Sequence, residues 1–197
     1  MNKALTLAFL AFLVLYLSSC SPRREVKRIE TDQQVDLSGR WNDTDSRMVA
    51  EALMDQVLHA RWLDEYTRRN HDARPILIVG LVRNKSHEHI NAETFIKDIE
   101  RSIIKDGSAR LVQAGSQRDA LRRERADQQD FASSETAKQW GLELGADFML
   151  QGTINSIVDS YRKEKIVYYQ VNLELSNLET NEIVWIGEKK IKKYINN

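Results

Sequence analysis

The chain has 197 residues, 29% of them charged and 42% hydrophobic, which suits one globular domain. Its formal net charge is zero, so nothing in the total argues for a nucleic acid or an acidic surface as partner. A single cysteine excludes an intrachain disulfide framework and a cysteine-rich zinc site.

Met1-Asn2-Lys3 is a short basic start, and Ala4 to Leu17 is almost wholly apolar. That run is shorter than the ~17–25 residues a membrane-spanning helix needs. With Ser18-Ser19-Cys20 after it, residues 1–19 read as a secretory signal peptide. Leu17-Ser18-Ser19-Cys20 also resembles the lipobox of bacterial lipoproteins. That resemblance implies cleavage before Cys20, with a diacylglycerol on the thiol and an acyl chain, a palmitate, on the new amino group. Two or more chains anchor stably, at ~0.8 kcal/mol per buried methylene. Ser21 after the cysteine implies the outer membrane under the enteric sorting rule. Residues 20–36 are polar and charged and form a short, flexible, lipidated tether.

Residues 37–197 form the single globular domain. Asn42-Asp43-Thr44-Asp45-Ser46 is a cluster of helix-capping residues. Val49, Leu53, Val57, Leu58 and Trp62 follow at helical spacing, so one amphipathic helix of about 25 residues is expected, ending near Arg69-Asn70. Pro75 opens the β-branched run Ile76–Val82, a central strand. Arg83 to His89 reads as a polar loop. Its His87 and His89 invite a metal reading, but their spacing lacks a second ligand pair and matches no zinc motif.

Asn91 caps a helix whose buried stripe is Phe95, Ile96, Ile99 and Ile103, and Gly107 ends it. Arg110–Gln113 is a short strand. Ser116 is the expected cap of a solvated helix over Arg118–Arg125. Ser133 or Ser134 starts a further helix with Ala137, Trp140, Gly141 and Leu144 toward the core, and Gly145 is expected in the left-handed conformation that ends it. Phe148 to Ile154 reads as a strand buried on both faces, bracketed by Gly145 and Gly152, where neighbouring backbone can approach closely. Val158 to Lys165 reads as a strand end and turn. Val167, Tyr169, Val171, Leu173 and Leu175 alternate with polar neighbours, the pattern of a half-buried antiparallel strand. A turn at Asn177–Glu182, with Asn181 at positive φ, returns the chain as Ile183–Ile186 and completes a C-terminal β-hairpin. Lysines 189, 190, 192 and 193 guard the final edge. The fold class is α/β or α+β: a mixed sheet of about four to five strands with helices packed on it.

The strand Ile76–Val82 with its Arg83-Asn84 exit, the helix after Asn91, Gly145–Gly152 and the closing Asn177–Trp185 resemble, in that order, the penicillin-binding protein activator LpoB family. The same elements are similar to the curli secretion lipoprotein CsgG and the TolB N-terminal domain. The family resemblance implies a non-enzymatic outer-membrane lipoprotein that binds a bifunctional peptidoglycan synthase and raises its activity. The alternative it leaves is a CsgG-like secretion or envelope-assembly lipoprotein, which would need amphipathic membrane hairpins; Val167–Ile186 is the one candidate. Enteric members carry a long proline-rich tether, whereas this chain has only Pro22–Asp36. No Gly-x-Ser-x-Gly, phosphate-cradling loop or metal-ligand set is present, so no enzyme, metal or bound cofactor beyond the Cys20 lipid is expected. Tyr161, Tyr168, Arg122 and Arg123 are the candidate partner contacts, read as exposed residues of the types that dominate interface energetics. The sequence leaves the oligomeric state open.

Overall fold

The computed structural model describes residues 25–31, 33–133, 135–136 and 143–196. The chain divides into two units, Met1–Gln33 and Gln34–Asn197. In the first, the described residues 25–31 and 33 are exposed and carry no helix or strand. Cys20 and the signal segment lie outside the described residues. Among the described residues, no helix is long and apolar enough to cross a membrane.

The second unit runs α1 (Asp43–Leu58), α2 (Arg61–Arg69), β1 (Ile76–Lys85), α3 (Ala92–Asp106), β2 (Arg110–Val112), α4 (Gly115–Phe131), β3 (Phe148–Tyr161), β4 (Glu164–Asn177) and β5 (Ile183–Asn196). The five strands form one mixed sheet in the order β2-β1-β3-β4-β5. β1 is parallel to β2 and to β3, and β3-β4-β5 are antiparallel.

Asn42 caps α1 with a reciprocal box: its side chain accepts from the Asp45 amide, and Asp45 accepts from the Asn42 amide, both at 3.0 Å. The expected single helix to Arg69 is in fact two. Ala60 is extended, and the Trp62 indole donates to the Val57 carbonyl at 2.7 Å, satisfying the end of α1. The break lets Trp62 and Tyr66 pack edge-on against Phe148, with ring centroids 5.0 and 5.5 Å away.

α1 and α3 bring Val49, Leu53, Val57, Phe95, Ile99 and Ile103 against one face of the sheet. That face presents Leu77, Val79, Phe148, Leu150, Ile154 and the whole expected β4 set, Val167, Tyr169, Val171, Leu173 and Leu175, all buried. Asn91 and Gly107 cap α3 as the sequence predicts, Gly107 at φ 80°.

Several expectations fail, and among the described residues the sheet is covered on one face only. β3 is not buried on both faces; Met149 and Thr153 are half-buried and Gln151 is exposed. α4 starts at Gly115 rather than behind Ser116 and has no side-chain cap, but it buries none of its residues, as the expected solvated helix would. Leu144 is not helical and is 53% exposed, so it does not face the core. Ala137, Trp140 and Gly141 lie outside the described residues. Gly145 is not left-handed, and no described helix ends there. Gly152 does serve a close approach: a Cβ there would lie 2.1 Å from the Asn172 carbonyl oxygen on β4.

The strands also outrun their apolar stretches. β1 continues to Lys85, so only residues 86–89 remain as loop. β3 and β4 extend through the expected turn at Val158–Lys165 and meet across Arg162-Lys163, with Arg162 at φ 53°. Asn181 takes the expected positive φ, 62°, and the C-terminal hairpin is present, its second strand far longer than Ile183–Ile186. Val167–Ile186, the one candidate membrane hairpin, lies inside the five-stranded sheet, paired by β3 and by its own return.

Candidate partner-binding surface

Three polar clusters hold the domain in shape. Asp147, just before β3, is the first. Its Oδ2 accepts from the Ile76 amide at 2.7 Å and from the Tyr66 hydroxyl at 2.8 Å, joining β1, α2 and β3 at one oxygen. Burial and the Asp147 carboxylate push the Tyr66 hydroxyl up to about 12. In the second cluster the Lys193 ammonium meets Asp45 at 2.6 Å, Asp36 at 2.7 Å and the Arg40 carbonyl at 2.9 Å. Burial works against this charge, yet the bonds to Asp36 and Asp45 outweigh it and hold its pKa above the ordinary lysine value. The Lys193 bond, then Gln34, holds the Asp36 carboxyl below its usual range. The lead-in to the fold is therefore fastened to the last strand.

The third cluster fixes the loop after β1. The Tyr169 hydroxyl donates to Glu88, and burial followed by that bond raises its pKa. His87 stacks on the Tyr169 ring at 6.2 Å and shares a 2.7 Å bond with Ser156. His87 thus has a structural role in the loop. Among the described residues, no group of three His, Cys, Asp or Glu side chains could hold a metal.

What remains for recognition is the sheet face that the described residues leave open. The registers place Ile157 opposite Tyr168, Tyr161 opposite Glu164, and Ile166 opposite Tyr194, all on that face. Tyr161 is 68%, Ile157 66% and Tyr194 61% exposed, so the far end of the sheet carries an aromatic and aliphatic patch. Arg162 lies over the Tyr161 ring at 5.1 Å. Gln151, Gln170, Asn172, Lys190 and Lys192 continue the face toward the middle of the sheet. An apolar centre with aromatic anchors and a polar rim is how protein interfaces are built.

The four sequence candidates separate into two sites. Tyr161 and Tyr168 share the sheet face, although Tyr168 is half-buried rather than exposed, since it lies within the strand pairing opposite Ile157. Arg122 and Arg123 sit on α4. Arg122 and Arg125 clamp Glu143 at 2.8 and 2.7 Å and hold its carboxyl down at about 2. Arg122 is thereby committed to fastening the chain that returns toward β3. Ile157, Ile166 and Tyr194 escaped the sequence reading because their stretches read as turn and lysine-rich tail. Of the three, only Ile166 lies on β4 within reach of the Val167–Leu175 alternation; Ile157 and Tyr194 belong to the neighbouring strands.

The folded unit matches the family model described as "Peptidoglycan-synthase activator LpoB" over residues 45–191. A comparison with curated proteins gives no match. Among solved structures the chain is similar to the LpoB C-terminal domain from Escherichia coli, at 15% identity and TM-score 0.47, covering 76% of this chain and 99% of that one. It is also similar to E. coli LpoB solved by NMR, at 16% identity and TM-score 0.42 over 88% of this chain and 87% of that one. A third likeness is to lipoprotein GNA1162 from Neisseria meningitidis, at 14% identity and TM-score 0.39 over 64% and 86%. With the model matched from the first turn of α1 to the middle of β5, the chain belongs to the peptidoglycan-synthase activator LpoB family.

Proposed function

We propose that this chain is a lipid-anchored, non-enzymatic regulator that docks on a bifunctional penicillin-binding protein and raises its rate of peptidoglycan synthesis. The family match carries this reading, because it coincides with the folded unit and the family is one of synthase activators. The sheet face left open by the described residues, with Tyr161, Ile157 and Tyr194 exposed, supplies the contact surface. Cys20, acylated on its thiol and amino group, holds the domain to the periplasmic face of the outer membrane.

The tether sets a geometric condition. The folded unit begins at Gln34. About 14 residues then separate it from Cys20, and at ~3.3–3.6 Å each they span roughly 50 Å at most. The domain works close to its own membrane, so the synthase must reach to it.

Full-length lipoprotein in detergent micelles, mixed with each bifunctional synthase of the host, tests the reading. Binding together with faster glycan polymerisation or cross-linking is expected. Failure to bind every host synthase would overturn the reading. Mass spectrometry of the mature protein checks the anchor separately: an unacylated Cys20 would remove it.

A further inference from the structure

The two edges of the sheet are treated differently. β5, at one edge, carries lysines 189, 190, 192 and 193, the usual guard against unwanted strand pairing. At the other edge β2 is only three residues long and pairs with Ile76, Leu77 and Ile78 alone. From Val79 to Lys85, β1 has no strand partner on that side among the described residues. The backbone there is uncapped, and a bulge at Gly80-Leu81 leaves Leu81 69% exposed.

A cleft of about 810 Å³ runs along this edge, walled by α3 on one side and by the start of α4 on the other. Ile96 of α3 and Leu81 give it apolar surface. Arg83, Lys85 and Arg118 bring three cations to it, none of them in an ion pair among the described residues, and the Arg118 Nε is buried with no hydrogen-bond partner there. Lys97 and Glu100 cancel each other at 2.6 Å, which leaves Glu93 and Glu174 as the opposing charges. Unpaired backbone, an apolar wall and an excess of uncommitted cations together describe a seat for one more strand.

We infer that the free edge of β1, Val79–Lys85, takes an extended segment of the partner as an added strand, with acidic side chains toward Arg83, Lys85 and Arg118 and apolar ones toward Ile96. This rests on the synthase reading above for the identity of the partner, not for the chemistry of the seat. Main-chain hydrogen bonds would supply the affinity and the alternate side chains the selectivity.

Hydrogen exchange on the full-length lipoprotein tests it in two arms. In the first, the probe is a blocked synthetic octapeptide of alternating valine and glutamate. Alternate amides within Val79–Lys85 are expected to exchange about tenfold or more slowly at saturation. A valine–lysine peptide, or the acidic peptide with a central proline, should leave them unchanged. In the second arm, a bound host synthase should protect the same amides. A synthase that binds without slowing them overturns the added strand and leaves the activator reading standing. If no synthase binds, the activator reading falls and the peptide arm alone decides the edge. Amides already protected in the free protein, or equal protection by the lysine peptide, also overturn the inference. The double variant Arg83→Glu, Lys85→Glu, on two exposed side chains, should weaken the acidic peptide about tenfold without altering thermal stability; unchanged affinity counts against it.

Discussion

Replacing Asp147 with alanine removes the oxygen on which β1, α2 and β3 converge. Two donors lose their acceptor: the Ile76 amide at 2.7 Å and the Tyr66 hydroxyl at 2.8 Å. A hydrogen bond to a charged group contributes about 1.5–3 kcal/mol, and two bonds to one oxygen do not simply add. The backbone bonds from the Asp147 amide to the Ile76 carbonyl and from Leu178 to the Asp147 carbonyl survive the substitution, so the strand pairing still starts in register. The expected loss is therefore about 3 kcal/mol, or roughly 6–12 °C in Tm for a domain of this size. Urea unfolding followed by far-ultraviolet circular dichroism reads it directly. Asp147→Asn keeps an acceptor of the same shape and should lose less than half as much. A loss below about 1 kcal/mol for the alanine variant, or equal losses for both variants, would refute the idea that one shared carboxylate oxygen fastens the three elements.

Gly152→Ala should cost about 1–3 kcal/mol or more in the same assay, because its Cβ would sit 2.1 Å from the Asn172 carbonyl oxygen and the β3–β4 ladder must part to admit it; wild-type stability would contradict that. Tyr66, with its pKa raised to about 12 against an ordinary 10 in the unfolded chain, contributes stability that is complete below pH ~10 and lost as pH rises toward 12. Tyr66→Phe should flatten that alkaline limb in thermal melts taken from pH 9 to 12, leaving the part due to Tyr169; an unchanged limb argues against the bond to Asp147. Combining Ile157→Asp with Tyr161→Ala should weaken synthase binding about tenfold by titration calorimetry while leaving Tm unaltered, and Arg123→Ala should do less. Equal effects from Arg123→Ala would move the contact surface onto α4.

Where one face of an element is dry and the other wet, the sequence says so. The β4 alternation from Val167 to Leu175 named every buried side chain of that strand correctly, and the α3 stripe did so for Phe95, Ile99 and Ile103, while its fourth member, Ile96, is only half-buried and lines the cleft beside β1. Caps that rest on local chemistry, Asn42, Asn91, Gly107 and Asn181, were equally legible. What escaped depends on distant partners. The break at Ala60 is set by Phe148, some way along the chain, which attracts Trp62 and Tyr66. The outer halves of β3, β4 and β5 hold their strand form through one another's hydrogen bonds, although Asp159, Lys165 and Lys192 individually read as turn or tail. The candidate contact patch lies on those outer halves, so only the two tyrosines announced it. Hydrophobic pattern reports burial, and an exposed recognition face leaves little of it to read.

Lys193 gives the domain a mechanical property. Any pull on the leader ahead of Gln34 enters the fold through Asp36 and its bridge to Lys193, on the helical side of the sheet. Behind Lys193 stands β5, whose ladder with β4 extends from Ser176 to Glu164. An ion pair is weaker than such a ladder, so a straining leash slips at this bridge first, lengthens by a few residues, and leaves the sheet undeformed.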